Sequence, residues 1–375
     1  LIQIIFIYIF YINLALANEI FNFDVTEVEI KEKGNIFIGK KGGTATSSDG
    51  TKITAINFNY NKTKNILIAS GNVVIEDIKN NNKIYSDKIT YLKNDELVFA
   101  DGNSRTISED VIIIADKFEY NKLLNIFNAN GKVKIENKVE NYFIFSDNVT
   151  YNKNSEIFFT KKNSKVINNG IIINSDNLKY DKTKDIFNAN GKVIIDDQIE
   201  NYIIEANDIT YNKKLNKIYT KGKTDAKIQS KYNFFSSDVE IDRSSKELKS
   251  YQNSTLTDDN SNLYKLSEFI YFYEKKFLKG KNIELETNFQ KEKNDKFFFR
   301  DGFINFSDNS FLSKDTRINL NKKTFDKERE KEEDKNIFLG QNDPRIYSVS
   351  SKGNDKKVEL NKAIFTSCKK NENCP

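Results

Sequence analysis

The sequence predicts an all-β fold of stacked antiparallel hairpins around an apolar interior. Three observations predict it: a tyrosine that returns at a nearly fixed interval, apolar residues that alternate with polar ones, and turn-forming residues between the alternating runs. Tyr60, Tyr91, Tyr120, Tyr151, Tyr180 and Tyr211 follow one another at spacings of 31, 29, 31, 29 and 31 residues. Self-similarity at such a period marks a stack of small units, none of which buries its apolar face alone.

The match extends around each tyrosine. Two places before it stands an apolar residue (Phe58, Ile89, Phe118, Val149, Leu178, Ile209), and five places before it a small one (Ala55, Ser86, Ala115, Ser146, Ser175, Ala206). Seven places after it come Leu67, Val98, Phe127, Phe158, Phe187 and Ile218; eleven after come Gly71, Gly102, Gly131, Gly191 and Gly222, with Lys162 as the exception. The alternating interval points to a paired unit of about 60 residues. The stretches that begin at Phe118 and Leu178 are near-duplicates.

Within a copy the apolar period is two, as in Gly131-Lys-Val-Lys-Ile135, which is the strand signature. Tyr-Asn-Lys-Thr-Lys-Asn and Ala-Asn-Gly-Lys carry turn chemistry, so Gly71, Gly131 and Gly191 are expected at equivalent turns. The body is expected over 45–325, with clear copies over 50–222 and degenerate ones over 223–325. The ionic run Lys327–Lys335 opens a linker over 326–375, for which only weak packing is expected.

Residues 1–17, LIQIIFIYIFYINLALA, form an uncharged apolar run that ends in Ala-Leu-Ala, as a secretory signal and its cleavage site do. A membrane anchor is the other reading, but the run is short for a spanning helix of about 20 residues. Residues 18–44 are then the start of the mature chain. With no Met and an ending at Cys374-Pro375, the chain is expected to be a fragment cut at both ends.

Charge and composition exclude several functions. The 59 Lys and Arg are interspersed with 54 Asp and Glu, which leaves no basic cluster of the kind a nucleic-acid surface needs. There is no His, the commonest general base and metal ligand, and no phosphate loop, nucleophile elbow or paired-Cys pattern. Asp87, Asp116, Asp147 and Asp176 suggest calcium binding or glycoside hydrolysis, but one carboxylate per copy makes a ladder and not a single site. Neither an enzyme, a cofactor nor a metal site is expected.

The interior remains. Val73, Ile75, Val133, Ile135, Phe143, Phe145, Ile171, Ile173, Val193 and Ile195 are expected between the sheets. They either fill a dry core or line an apolar groove for acyl chains, whose burial contributes roughly 0.8 kcal/mol per CH₂. Periodicity alone leaves both open.

Ala69-Ser-Gly-Asn-Val-Val-Ile-Glu-Asp77, followed by Tyr85-Ser-Asp-Lys-Ile-Thr-Tyr91, resembles the OstA repeat shared by LptA, LptC and the N-terminal domain of LptD. The resemblance is clear over 50–222 and loose to about 325. Asn342-Asp-Pro-Arg345 with Asn361-Lys-Ala-Ile-Phe-Thr-Ser-Cys368 and Cys374-Pro375 is similar to the approach to the outer-membrane barrel of the LptD family. Phe21–Ile38, followed by Lys41-Gly-Gly43, is similar to the mature start of such proteins.

The resemblance implies an elongated β-jellyroll of V-shaped cross-section, with an apolar groove for lipopolysaccharide acyl chains. It implies lipopolysaccharide transport and outer-membrane assembly at the periplasmic face of the cell outer membrane. The implied partners are lipopolysaccharide, an LptA-like periplasmic bridge, an LptE-like lipoprotein and a barrel downstream. Cys368 and Cys374 are implied disulfide cysteines, paired with each other or with the barrel. The alternatives are a stand-alone LptA- or LptC-type bridge, a structural β-solenoid at the surface and, most distantly, a repeat-built polysaccharide-processing enzyme.

Overall fold

Every pairing between described strands is antiparallel, and most join strands that follow one another in the chain, as the alternation requires. The computed structural model describes residues 21–77, 82–108, 111–289, 294–321, 344–354 and 356–367. The expected signal segment, Cys368, Cys374 and the ionic run Lys327–Lys335 lie outside them. The chain divides into two compact units, residues 1–123 and 124–375.

The first unit holds β1 (Phe21–Lys31), β2 (Ile36–Ser47), β3 (Thr51–Ala55), β4 (Asn57–Asn61), β5 (Ile66–Asp77), β6 (Asn82–Leu92), β7 (Leu97–Ser108) and β8 (Val111–Asn121). β3 and β4 are two halves of one strand, broken at Ile56. Both pair with β2 on one side and β5 on the other. Every longer strand is likewise divided at its middle, so that its two halves enter two different layers. One layer carries the inward row Ala45, Ile53, Ile75, Ile84; the other carries Phe37, Tyr60, Leu67, Tyr91 and Val98. The layers meet through ring contacts of Phe21 with Tyr60 (5.3 Å) and of Phe23 with Phe37 (4.1 Å, stacked).

The second unit continues this plan. It begins with β9 (Ile126–Asn137), β10 (Tyr142–Asn152), β11 (Ile157–Asn168), β12 (Ile171–Asp181), β13 (Ile186–Asp197), β14 (Tyr202–Asn212) and β15 (Lys217–Ile228). The clear repeat stops there, and the next strands are broken outright into half-strands. These are β16 (Tyr232–Ser237), β17 (Glu240–Asp242), β18 (Glu247–Ser250), β19 (Ser254–Thr257), β20 (Leu263–Leu266) and β21 (Glu268–Phe272). Full strands return with β22 (Phe277–Glu286), β23 (Lys296–Asn305), β24 (Ser310–Asn319), β25 (Arg345–Gly353) and β26 (Val358–Thr366). β16, β19 and β20 lie in one layer, β17, β18 and β21 in the other. Across the gap Phe234 stacks on Phe269 (5.2 Å) and Tyr232 meets Tyr271 (5.6 Å).

The break at mid-strand explains the repeated glycine, and corrects where it was expected. Gly71, Gly131 and Gly191 occupy equivalent places, but inside the 12-residue strands β5, β9 and β13 and not at a turn. Each forms a bulge with the next residue, both at positive φ: 78° and 47° at Gly131-Lys132, 76° and 48° at Gly191-Lys192. The extra residue bends the strand from one layer into the other. Asn-Gly chemistry signals positive φ, and bulges and turns both need it.

The small residue five places before the tyrosine serves this same corner. Buried Ser86 and Ser146 donate to carbonyl oxygens that the bend takes out of the ladder, those of Asp101 and Lys161 on the neighbouring strands (2.8 and 3.1 Å). The recurring aspartate lies there too. A Cβ at Gly191 would overlap the Asp176 carboxylate, whereas one at Gly222 (φ 75°) meets nothing within 4 Å. Gly191→Ala is therefore expected to cost about 2 kcal/mol in urea unfolding, from backbone strain and overlap together. Gly222→Ala should cost only about 1 kcal/mol, from the strain alone. If the extra cost comes from overlap, Asp176→Ala should recover part of the Gly191→Ala loss; no recovery would rule the overlap out.

The fold class is as expected, but both ends of the body move. It starts at Phe21, because β1 and β2 form a hairpin that pairs onward with β3 and β4; Gly42-Gly43 is its corner and not a loop. It also runs past 325. β25 pairs along the whole of β24, and Ser351 joins Ser313 (2.6 Å) and Thr316 (2.8 Å) in a buried hydroxyl cluster. Inward residues of β25 such as Ser348 and Ser351 are polar, so the sequence shows no alternation there to set against a linker.

Candidate functional site

Side chains that face inward yet are only half-buried mark where the interior is least tightly closed. In the first unit Tyr60, Leu67, Tyr91 and Val98 are all buried, and Tyr120 in β8 is half-buried. In the second unit, from β15 on, the corresponding Ile218, Ile241, Leu248, Tyr271 and Leu278 are buried as well. Between β9 and β14 the same inward positions are half-exposed. They are Phe127, Tyr151, Phe158, Tyr180, Phe187 and Tyr211.

These six form one unbroken ladder. Tyr151 stands opposite Phe127 and Phe158, Phe158 opposite Tyr180, Tyr180 opposite Phe187, and Phe187 opposite Tyr211. Tyr180 and Phe187 are stacked at 3.9 Å. At a strand spacing of about 4.8 Å the row runs for about 24 Å. Ile171 and Ile173, inward on the other layer, are half-exposed too.

The tyrosines of the row are held by their tips. The Tyr180 hydroxyl donates to Asp185 (3.1 Å) and that of Tyr211 to Asn216 (3.2 Å), each five residues on and at positive φ in the following turn. Burial, followed by the Asp185 carboxylate, pushes the Tyr180 phenol above its ordinary range, and burial does the same for Tyr151. The row thus carries its polar atoms at the tips of its tyrosine rings.

A polar bridge between the layers closes one end of the row. Asp197, at the end of β13, has a side chain that is 0% exposed. It accepts from Arg243 Nη2 across the gap (2.8 Å) and from the backbone amides of Ile199 and Glu200 (3.1 and 3.0 Å). Beside it Tyr202 meets Tyr273 at 6.1 Å, and Lys246 pairs with Glu200.

The first unit has a bridge of its own. Asp49 accepts from Lys122 (2.6 Å), and Lys93 joins Asp49 (3.4 Å) to Glu96 (2.5 Å). Although burial works against it, bonding to Lys122 and Ser47 holds the Asp49 carboxyl well below the usual range.

The expected site residues divide three ways. Val73, Ile75, Val133, Ile135, Val193 and Ile195 face inward and are buried, as core residues are. Ile171 and Ile173 face inward beside the open row. Phe143 and Phe145 face outward, which corrects the expectation for them: Ile144 between them is the buried one, opposite Ile135 and Val166. Lys134 lies over the Phe143 ring at 5.3 Å, on the outer face. Tyr142-Phe-Ile-Phe145 is apolar throughout, so it carries no alternation to fix its parity.

The aromatic row itself was not among the expected site residues, although the sequence carries a signal for it. The residue seven places after the tyrosine is Leu67, Val98 or Ile218 where the interior is shut, and Phe127, Phe158 or Phe187 where it is open.

Such an arrangement presents flat apolar ring faces whose tyrosine hydroxyls are held by Asp185 and Asn216. Among the described residues no cluster of three or more His, Cys, Asp and Glu stands ready for a metal ion, and no helix is long and apolar enough to cross a membrane.

No protein-family model matches the chain, and no curated protein matches it. Among solved structures it is similar to LptH from Pseudomonas aeruginosa, the LptA homologous periplasmic component of the conserved lipopolysaccharide transport device. The likeness has 19% identity and a TM-score of 0.28, and covers 30% of this chain and 82% of that one. A likeness that distant carries no argument; the fold rests on the strand pairing itself.

Proposed function

We propose that this chain acts without catalysis, as the periplasmic part of a lipopolysaccharide-assembly protein of the LptD type. It receives acyl chains on the row from Phe127 to Tyr211 and passes them toward an outer-membrane barrel. The observation that carries this reading is that row: six adjacent aromatic rings, inward by parity and half-buried, where Tyr60, Leu67, Tyr91 and Val98 at the same positions are buried. The part of each ring that the fold leaves uncovered is apolar surface that a ligand can cover. Acyl chains match it in length and polarity, each buried CH₂ contributing roughly 0.8 kcal/mol.

In this reading lipopolysaccharide is the ligand, an LptA-like bridge delivers it, and an LptE-like lipoprotein attends the barrel. The motif from Asn342 to Pro375 supports the LptD assignment. A stand-alone LptA- or LptC-type bridge is the second reading. It is favoured by unpaired edges: among the described residues β1 pairs only with β2, and β26 only with β25. Free edges admit a partner strand. The parent gene separates the two, since a barrel needs many alternating strands of about ten residues downstream.

Photo-crosslinking in cells tests the groove. A crosslinker at Phe158 or Phe187 should capture lipopolysaccharide, and one at Phe159 or Asn188 should not, because neighbours along a strand face opposite sides. Equal capture at all four positions would reject the groove.

A further inference from the structure

The outer face of β21–β24 carries apolar side chains that no strand or loop among the described residues covers. Ile270, Lys279, Phe303 and Leu312 stand in one cross-strand row on this face, and Phe272 pairs with Phe277 in the next. The three phenylalanine rings cluster, with centroids 6.1 Å apart for Phe272–Phe277 and 5.8 Å for Phe277–Phe303. Leu312 is 55% exposed and Tyr251, beside the row, 65%. Between them lies a cleft of about 440 Å³, bordered by Tyr251, Ile270, Lys279, Phe303, Leu312 and Lys314.

The charges on this face are unequal. Glu268 is matched by Lys281 (2.7 Å), and Arg300 is shared by Asp301 (3.2 Å) and Asp315 (2.5 Å). Lys279 and Lys314, both described residues, pair with no described carboxylate; the Lys279 ammonium lies instead 5.8 Å from the Phe303 ring. The face is therefore apolar with surplus positive charge set inside the apolar row.

We propose that this face docks on an anionic lipid bilayer. The cores of protein interfaces are depleted in lysine, whereas Lys279 stands at the centre of this one. A bilayer surface suits the mixture: rings and Leu312 enter the boundary between headgroups and chains, while the lysines stay at the phosphates. The face points away from the aromatic row, so the inference does not depend on what that row binds.

Vesicle flotation of the full chain tests it, comparing phosphatidylcholine vesicles with vesicles that also contain phosphatidylglycerol. Any binding through the apolar run 1–17 is common to both, and the readout is the gain on adding the anionic lipid. The expected gain is about 30-fold, from two lysines brought near a negative surface. Lys279→Glu with Lys314→Glu should abolish it, and so should Phe277→Ser with Phe303→Ser. Phe143→Ser with Phe145→Ser, in another outward apolar patch, should leave it intact. Three results would overturn the proposal: no gain, a gain that survives the first two pairs, or a gain lost equally with the third. Sensitivity to the lysine pair alone would also overturn it, as that is a general charge effect. If the phenylalanine pair fails to fold, Leu312→Ser, at a side chain that is mostly exposed, takes its place and should reduce the gain; an unchanged gain would overturn the proposal.

Discussion

Replacing Phe187 with aspartate should reduce lipopolysaccharide capture by about 100-fold, because an unpaired carboxylate against alkyl chains costs several kcal/mol. In the free protein the same carboxylate stays in contact with water. The fold then loses the packing of one half-buried ring between Tyr180 and Tyr211, about 1–2 kcal/mol. Ile195→Asp should do the reverse. Ile195 is buried among core residues, so the charge has no water to face, and the second unit should lose about 4 kcal/mol or more and unfold. Capture by crosslinking and urea unfolding, measured on both variants, separate ligand surface from core. If Phe187→Asp unfolds the chain as readily as Ile195→Asp, the row is core and the groove does not exist.

Asp197→Ala is the second large effect expected. It deletes the acceptor of three hydrogen bonds and leaves Arg243, itself mostly covered, without a counter-charge. Removing one partner of a buried pair costs about 3–5 kcal/mol. Asp197→Asn keeps the turn at Ile199 and Glu200 but not the charge, and should lose part of that. Asp196→Ala, next door on the outer face, should stay within about 0.5 kcal/mol. Urea unfolding followed by tyrosine fluorescence, free of background because the chain has no Trp, measures all three. Equal losses for Asp196→Ala and Asp197→Ala would mean that the bridge between the layers contributes nothing of its own.

Much of the architecture could be read from the residues, because in β9 and β13 the alternation decides which side chains go inward: Val133, Ile135, Val193 and Ile195 all do. Where alternation was missing, parity had to be guessed, and Phe143 and Phe145 came out on the wrong face. The two-layer plan was hidden for another reason. Gly131-Lys132 has the chemistry of a turn, and positive φ alone does not distinguish a chain that reverses from one that bends and continues. The open row was hardest to see. Whether Phe158 or Tyr180 is shut in depends on how far apart the layers stand, and no local pattern encodes that distance. Only the change from aliphatic to phenylalanine seven places after the tyrosine hints at it.

The repeated register has a consequence for how such a gene can change. β13 lies on β14 with the pairing that β9 has on β10, each partner shifted by 60 residues: Val133 faces Ser146 as Val193 faces Ala206, and Phe127 faces Tyr151 as Phe187 faces Tyr211. Two stretches this alike in sequence are natural points for misaligned recombination. A crossover between the codons of Phe127 and Phe187 would remove or add one 60-residue pair, in frame, between strands that already fit. The length of the open row, and with it the length of chain it can take up, can thus change in whole steps, without a single new contact having to be invented.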